Sequence, residues 1–458
     1  MARPELRRVL GLGDLVLFNV TVVFSLRGLA AAAQMGPIAI PLWFFAVATF
    51  FVPLALAVTE LTTRDPGAGG FYRWIQSAFG DAHAFLAGWS YWLSNLTYLP
   101  SLLVFVLGNV GFVVGRKELG DEGAPAIAAA LVVLWALTWI NVRGFALARF
   151  VNHLGAVANW LAALLLVAAG AIALVRYGSA TAWSQARWTE LGDGRSIGFF
   201  GTLFFSLVGL ELAPLMGAEI RDPLRAVPRA IAISGLGIVL LYVLGTLAIL
   251  VAVPVAETSA LSGVLDAVQR VSDRAGWTFL PPLVAVLVSF ATLAGLSAWL
   301  GGMARLPYAV GLDRFLPGWL ADLHPRHGTP HKAILLQAAA TSLFLIASAG
   351  SQLKEAYALL LIATTILTIV PFLYLFLALP RLRPSGAEPR VVRVPGGKRF
   401  LWTIALSGFV ATLLALASSA IPPPDAGDPW VFEAKLWGGL VVLGALGAWI
   451  LGRYRRRG

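Results

Sequence analysis

Long apolar stretches, separated by short groups of glycine, proline and charged residues, run through the chain from one end to the other. Twelve of them are long enough to predict helices that span a bilayer, each of which needs about 20 apolar residues. The predicted spans are 14–36, 38–62, 82–114, 123–142, 150–175, 196–219, 229–253, 278–311, 332–349, 353–379, 400–420 and 430–452. The pattern also predicts a short interfacial helix within 65–79 and a helical lid within 255–276. The expected fold class is an all-α integral membrane protein with 12 transmembrane helices.

The composition agrees with this pattern. Hydrophobic residues make up 59% of the 458 residues and charged residues 12%, whereas soluble domains average about 45–50% and about 25%. A soluble domain, a disordered chain and a collagen-like chain are therefore excluded. The chain has no cysteine, so it offers no disulfide, no thiolate metal site and no cysteine nucleophile.

Lysine and arginine are unevenly distributed between the two sides of the predicted membrane. Of the 34 basic residues, 24 fall in segments on the side of the N-terminus, nine fall on the other side, and Arg27 lies within a span. Because cytoplasmic loops carry the excess of basic residues, we expect both termini in the cytoplasm and the chain in the inner (plasma) membrane. The net charge of +11 then faces anionic lipid rather than nucleic acid.

The first span is interrupted near its middle by the sequence Phe24-Ser25-Leu26-Arg27-Gly28. An arginine at mid-span costs at least about 2.5–3.5 kcal/mol, so it needs a cavity, a carboxylate partner or a bound anion. Arg27 is therefore a candidate for facing a substrate path and for gating. The alternative is a structural ion pair with an internal glutamate.

The sixth span has a second interruption, Phe205-Ser206-Leu207-Val208-Gly209, which is followed by Glu211. Glu211 is interpreted either as a proton-titrating or gating group, or as a carboxylate that holds neighbouring backbone or pairs with Arg27. Interrupted helices at matching positions indicate an inverted repeat and a binding site between them. We expect repeats over 1–175 and 196–379, two extra helices over 400–452 and a basic tail over 453–458.

Three sequence blocks resemble those of the amino acid–polyamine–organocation transporters, and they occur in the same order and at the same helices. The blocks are Glu60-Leu61…Gly69-Gly70-Phe71-Tyr72…Gly88-Trp89, Gly209-Leu210-Glu211…Glu219-Ile220-Arg221-Asp222-Pro223…Arg229, and Ala304-Arg305…Asp313-Arg314-Phe315-Leu316-Pro317…Thr329-Pro330. The resemblance covers spans one to ten. It implies a five-plus-five inverted-repeat fold that transports amino acids by alternating access, as a symporter or an exchanger.

The resemblance also implies roles for the interrupted helices. In the family, small residues of broken helix one let backbone amides hold the substrate carboxylate, but here Leu26 and Arg27 occupy that motif. Arg27 is therefore expected to contact a carboxylate itself, or else to fill the site and narrow the substrate range. Phe205 matches the aromatic residue that closes over the substrate, and residues 206–209 match the break.

Two further positions bear on binding and coupling. Asn95, in span three, is expected either to line the central cavity or to form an interhelical hydrogen bond. The family often carries a lysine in helix five in place of a sodium ion, but span five has none, and its nearest polar residue is Asn159. The coupling ion, H⁺ or Na⁺, therefore stays open.

No catalytic triad, P-loop or dinucleotide motif occurs in the chain, and His324, His327 and His331 have no accompanying carboxylate pattern. We therefore expect no enzyme activity, no cofactor and no metal site. The partners expected are a small-molecule substrate and the lipid bilayer. Two alternatives stay open: transport of amines or organic acids on the same scaffold, and a membrane sensor that binds amino acids without moving them. The sequence indicates no oligomeric state.

Overall fold

The computed structural model describes residues 8–67, 69–113, 124–183, 201–259, 262–312, 315–347, 353–383, 391–419 and 428–455. Within these ranges the regular structure is helical throughout, apart from one isolated backbone bridge between Leu10 and Ile220. The expectation of an all-α fold is thus confirmed.

The helices are numbered here in chain order. They are α1 (Leu12–Val23), α2 (Leu26–Ala33), α3 (Ala39–Ala46), α4 (Val52–Arg64), α5 (Phe71–Phe79), α6 (Asp81–Val113), α7 (Ala124–Arg143), α8 (Phe145–Tyr177), α9 (residues 201–206), α10 (Leu212–Leu215), α11 (Pro223–Ala252), α12 (Gly263–Ala275), α13 (Leu280–Met303), α14 (Arg305–Leu312), α15 (His331–Ala347), α16 (Leu353–Arg381), α17 (Gly397–Ser419) and α18 (Pro429–Arg455). A π-helical segment, Val47–Phe51, joins α3 to α4. Pro53 follows this segment closely. Because proline has no N–H to donate to the preceding turn, the regular α-helical hydrogen bonding is interrupted there.

Ten helical stretches of the described chain are long and apolar enough to cross a membrane. The ninth predicted span corresponds to α15, a shorter apolar helix. The sixth corresponds to the interrupted pair α9 and α10, and its residues before 201 lie outside the described ranges. The helices predicted within 65–79 and 255–276 are α5 and α12. The chain is thus a multi-pass membrane protein.

The interrupted first span and α6 lie at the centre of the bundle. Within their most apolar windows, 83% and 89% of the residues are buried, compared with 11% for α18 at the periphery. Helix α1 packs against α8, α11 and α13, and α6 packs against α13 and α16. The backbone at the first interruption is therefore surrounded by helices that can supply hydrogen bonds, which irregular backbone at membrane depth requires.

Candidate functional site

The first span breaks between α1 and α2, where the sequence predicts it. Phe24 and Ser25 are extended, with φ/ψ of −78/117° and −125/122°, and the helix resumes at Leu26. We call Val22–Gly28 the first break. Such a break leaves carbonyl groups of α1 without partners in the helix, so their hydrogen bonds must come from elsewhere.

Side chains from three other helices donate those hydrogen bonds. Val22 O accepts from Trp299 Nε1 of α13 at 3.1 Å, Val23 O from the Tyr242 hydroxyl of α11 at 2.8 Å, and Phe24 O from Asn159 Nδ2 of α8 at 2.8 Å. Asn159 thus stabilises the break with a neutral amide. The sequence singled out neither Trp299 nor Tyr242.

The second break, Phe205–Glu211, separates α9 from α10. The Tyr242 hydroxyl lies 2.7 Å from its Ser206 carbonyl oxygen and also accepts a hydrogen bond from Ser25 N at 3.1 Å. A single hydroxyl on α11 therefore connects both breaks. Its ring is held in place by stacking on Trp43, with the centroids 4.4 Å apart.

Glu211 holds the second break together and is almost fully buried. Its Oε2 accepts a hydrogen bond from Gly209 N at 3.1 Å, and its Oε1 accepts one from the Tyr91 hydroxyl of α6. Glu211 is thus engaged with Tyr91 and neighbouring backbone rather than with Arg27. The alternative of an Arg27–Glu211 ion pair is wrong.

The two breaks approach each other closely at two glycines. A Cβ on Gly28 would lie 2.8 Å from Ser206 Oγ, and a Cβ on Gly209 would lie 2.9 Å from Val23 Cγ2. Gly209 also has a φ of +135°, which residues with a Cβ rarely adopt. The close packing of the breaks therefore depends on glycine at both positions.

Replacing Gly209 with alanine is expected to lower the stability of the folded protein by about 1–3 kcal/mol, because the substitution adds backbone strain and overpacking. Gly108→Ala on α6 is the matched control, since a Cβ there meets no atom within 4 Å. Thermal unfolding in detergent measures both variants. Equal stability of the two variants would show that the break does not require glycine.

A small cavity lies between the two breaks. Its volume is about 20 Å³, and it is lined by Val22, Val23, Ser25, Arg27, Gly28, Tyr98, Phe205, Ser206, Val208 and Trp299. A cavity needs about 10–15 Å³ to hold one water molecule. In this conformation the cavity has room for little more than one water, so binding of a larger molecule requires its walls to move.

Aromatic rings close one wall of this cavity. Tyr98 of α6 packs edge-on against Phe205 and against Trp299, with ring centroids 5.4 Å apart in both pairs. Phe205 is thus part of the cavity wall and packs against Tyr98 there. Tyr98 is a lining residue that the sequence did not indicate.

Arg27 is 7% exposed and lines the cavity. Its Nη1 donates to Ser101 Oγ at 3.3 Å, and its guanidinium carbon lies 5.4 Å from the Tyr98 ring centroid. Both neighbours belong to α6. The arginine therefore sits at mid-bundle beside the cavity, as its position within the span predicts, and does not reach an end of the helix.

Asn95 lies on the same face of α6 as Tyr91 and Tyr98, because the three are spaced by four and three residues. It is 1% exposed, and among the described residues neither its amide nitrogen nor its amide oxygen has a hydrogen-bond partner. The interhelical hydrogen bond is therefore not formed. A buried amide without partners is costly, which makes Asn95 a candidate contact for a molecule entering the site.

The structure brings only part of the predicted site into the cavity wall. Six predicted residues line it: Ser25, Arg27, Gly28, Phe205, Ser206 and Val208. Phe24 instead packs edge-on against Tyr242, with centroids 5.0 Å apart, and Leu26 and Leu207 are buried in the surrounding core. Gly209, Asn95 and Glu211 also lie outside the lining.

Glu219 and Arg305 form a buried contact at the end of the bundle where α1 begins, which we call the N-terminal end. Arg305 Nη2 and Nε lie 2.9 and 3.2 Å from the two carboxylate oxygens of Glu219, and both side chains are about 5% exposed. A buried ion pair therefore joins Glu219 of the second sequence block to Arg305 of the third. Backbone hydrogen bonds from Val9 and Leu10 to Glu219 O, at 2.8 and 3.0 Å, close the same end.

Three histidines near this end lie close together. The His324 ring centroid is 4.6 Å from that of His327 and 5.2 Å from that of His331. His324 Nδ1 accepts a hydrogen bond from Arg326 N at 3.2 Å, so it serves the local turn. The described part of the chain contains no group of three or more His, Asp or Glu side chains that could hold a metal ion.

Comparison with known proteins identifies the family. The amino acid permease family profile matches residues 10–443. The chain belongs to the amino acid permease family. This confirms the resemblance to the amino acid–polyamine–organocation transporters, and it makes the protein a membrane transporter of the amino acid and amine class.

The relatives include characterised and uncharacterised transporters. An uncharacterised transporter of Legionella pneumophila is 29% identical over 95% of both chains. A probable agmatine/putrescine antiporter of Lactococcus lactis is 22% identical, over 89% of this chain and 87% of its own. A branched-chain amino acid permease of Bacillus subtilis is 24% identical over 72% of both chains.

Proposed function

We propose that this permease moves amino acids across the membrane by alternating access, and that the substrate occupies the space between the two helix breaks. The cavity between the breaks carries this proposal, since it is the point where both interrupted helices, α6 and α13 meet. Interrupted helices of transporters place their exposed backbone groups at such mid-membrane sites. The two breaks, Arg27 and Asn95 supply the contacts, and Phe205 covers the substrate.

Alternating access requires a closure on each side of the site. The backbone bridge between Leu10 and Ile220 and the Glu219–Arg305 pair form the closure at the N-terminal end. At the other end, Gln34 Nε2 at the end of α2 donates to Thr258 O, near α12, at 3.1 Å. Opening one closure at a time exposes the cavity to one side at a time.

The orientation and the internal repeat are part of the proposal. The excess of basic residues on the side of the N-terminus, 24 against nine, supports cytoplasmic termini in the inner (plasma) membrane. The matching positions of the two breaks support inverted repeats over 1–175 and 196–379. The relative named as an agmatine/putrescine antiporter supports amines as the alternative substrate class.

Counterflow in proteoliposomes tests the proposed function. Vesicles that contain the purified protein are loaded with a mixture of amino acids and supplied outside with one labelled amino acid at a time. Uptake that requires internal amino acid identifies an exchanger, and uptake into empty vesicles identifies a symporter or uniporter. If no amino acid moves under either condition, the proposal is wrong.

Glu211→Gln tests whether Glu211 couples transport to protons. Glutamine still offers an oxygen to Gly209 N or to the Tyr91 hydroxyl, but it cannot gain or lose a proton between pH 5 and 8. We expect exchange of internal for external substrate to continue, and uptake driven by an imposed pH gradient to be lost. Uptake that responds to the gradient as in the unmodified protein would exclude Glu211 as the coupling group.

A further inference from the structure

A second cavity lies between the central cavity and the N-terminal end of the bundle. Its volume is about 30 Å³, and its walls come from α1, α7, α8 and α13 together with Leu10 and Arg305 of the closure at this end. Phe18 of α1 lines this second cavity and Val22 lines the central one, so about one turn of α1 separates the two. The second cavity therefore lies on the way from the central cavity to the N-terminal end.

Asp14 of α1 and His153 of α8 both line this cavity and form a charged contact there. Asp14 Oδ1 lies 2.9 Å from His153 Nε2, and the two side chains are 17% and 34% exposed. Within the described part of the chain, His153 Nε2 has no aligned hydrogen-bond partner, so the contact depends on charge. It therefore stabilises the packing of α1 on α8 mainly while the imidazole carries a proton, and histidines change their charge between pH 5 and 8.

The other charges around this contact do not replace it. Arg149, also on α8, has its Nη1 3.9 Å from Asp14 Oδ2, and Arg305 is engaged with Glu219. Helix α13 carries no ionisable residue. The basic residues of α7 and α11 at this end are exposed: Arg143, Arg225 and Arg229. Asp14 thus has one permanent partner at longer range and one titratable partner at short range, and both belong to α8.

We infer that the Asp14–His153 contact is a pH-sensitive latch that holds the N-terminal end closed. Asp14 lies in the first turn of α1, four residues after Leu10, whose backbone bridge to Ile220 belongs to the closure. The first turn of α1 and the start of α8 form walls of the second cavity. Opening this cavity to the N-terminal side moves these walls apart and separates Asp14 from His153.

The sign of the pH effect follows from the charge of His153. Protonation strengthens the contact in the closed arrangement, so acidification on this side favours closure and loss of the proton favours opening. The inference deepens the proposed function by naming a regulatory contact of its closure, and its consequence for transport rests on that function. Exchange of substrate should be slower at pH 6 than the unlatched protein allows.

Labelling of a single cysteine measures this opening without transport. The chain has no cysteine, and Ala298, which lines the second cavity and is 2% exposed, is the position for one. The purified Ala298→Cys protein is labelled with a water-soluble maleimide at pH 6 and at pH 8, with and without His153→Gln. The ratio of the two labelling rates at each pH cancels the effect of pH on the thiol itself.

We expect the protein with His153→Gln to be labelled about twofold to fivefold faster at pH 6, and at the same rate at pH 8. A partly exposed ion pair shifts an equilibrium by about this factor. In an Asp14→Asn background, His153→Gln should no longer change the rate at pH 6. Asparagine still offers an oxygen to Gly11 N, which donates to Asp14 Oδ2 at 2.9 Å, so the start of α1 is preserved.

Two control variants separate the latch from other charges at this end. Arg149→Gln removes the permanent partner of Asp14, so it should speed labelling by the same factor at both pH values. His327→Gln removes another histidine of this end, whose ring packs on that of His324 outside the cavity lining. It should leave the labelling rate unchanged at both pH values.

The outcomes distinguish this inference from the proposed function. Equal labelling rates with and without His153→Gln at pH 6, or an equal difference at both pH values, would overturn the latch while transport stands. Counterflow at equal pH on both sides tests its consequence, since His153→Gln should raise the exchange rate at pH 6 and leave it unchanged at pH 8. If labelling behaves as expected but no substrate exchanges, the proposed function is wrong and the latch stands. Should Ala298→Cys fail to fold, Ala148→Cys supplies a second position in the lining.

Discussion

Replacing Tyr242 with phenylalanine is expected to slow transport about tenfold to a hundredfold while the protein stays folded. The substitution removes one hydroxyl that contacts Val23 O, Ser206 O and Ser25 N, at 2.8, 2.7 and 3.1 Å. A buried polar group left without its partner costs about 1–3 kcal/mol, and 1.4 kcal/mol corresponds to a factor of ten. This free-energy cost destabilises the arrangement in which the Tyr242 hydroxyl holds the two breaks together.

The ring of Tyr242 is expected to keep its place in the variant, because its packing does not depend on the hydroxyl. It stacks on Trp43 and meets Phe24 edge-on, with the Phe24 centroid 5.0 Å away. Counterflow over a range of substrate concentrations measures the effect. We expect a large fall in the maximal rate and a smaller change in KM, since the hydroxyl lies behind the cavity wall and orders the breaks that move.

Tyr177→Phe is the matched control for this substitution. Its hydroxyl donates to Arg274 O at 3.2 Å on the exposed surface, so its loss should leave transport unchanged. If Tyr242→Phe transports as fast as this control, the connection between the breaks has no role in transport. A loss of folded protein that parallels the loss of transport would make Tyr242 a purely structural residue.

The breaks themselves could be predicted from local sequence. A charged residue in mid-span, as at Arg27, or a glycine followed by a glutamate, as at Gly209 and Glu211, is costly in an uninterrupted lipid-facing helix. The sequence therefore locates both interruptions without any knowledge of tertiary contacts. The mixture of apolar and charged residues within 65–79 and 255–276 also predicts the helices that form α5 and α12.

The side chains that complete the site could not be predicted in this way. Tyr98, Tyr242 and Trp299 come from three different helices, and the chain has nine tyrosines and 16 tryptophans. An aromatic residue in a membrane helix usually packs in the core or anchors the helix at the interface, so the residue type alone does not indicate the site. Only the helix packing shows that these three side chains meet the breaks.

The sequence blocks that identify the family meet at the N-terminal closure rather than around the cavity. Gly69, of the first block, donates its N–H to Leu215 O beside the second block at 3.2 Å. Glu219, of the second block, pairs with Arg305 of the third. The family signature therefore lies mainly at this end of the bundle, while the residues that line the cavity lie outside most of it. This explains why the family was clear from the sequence and the substrate was not.

Arg305→Ala is expected to cause the largest loss of stability, about 3–5 kcal/mol, because it leaves the buried Glu219 carboxylate without its partner. Arg305, at the start of α14, also donates from Nη1 to Gly301 O of α13, so the substitution removes a further contact between these two helices. Thermal unfolding in detergent measures the loss. Arg225→Ala is the matched control, since Arg225 and Asp222 are exposed and 4.0 Å apart, and such pairs contribute about 1 kcal/mol or less.

The double variant Glu219→Gln/Arg305→Met distinguishes the ion pair from the general packing of Arg305. Replacing both charges removes the desolvation cost of each, so the double variant should be more stable than Arg305→Ala. Its transport should nevertheless be impaired, because the closure at the N-terminal end then lacks the ion pair that joins the second and third sequence blocks. If the double variant is at least as unstable as Arg305→Ala, the instability comes from the lost packing of Arg305 and not from leaving the Glu219 carboxylate unpaired. A double variant that is stable but does not transport would show that the ion pair is needed for closing this end of the site and not for folding. The helix bundle would then persist although the protein could no longer alternate between its two open states.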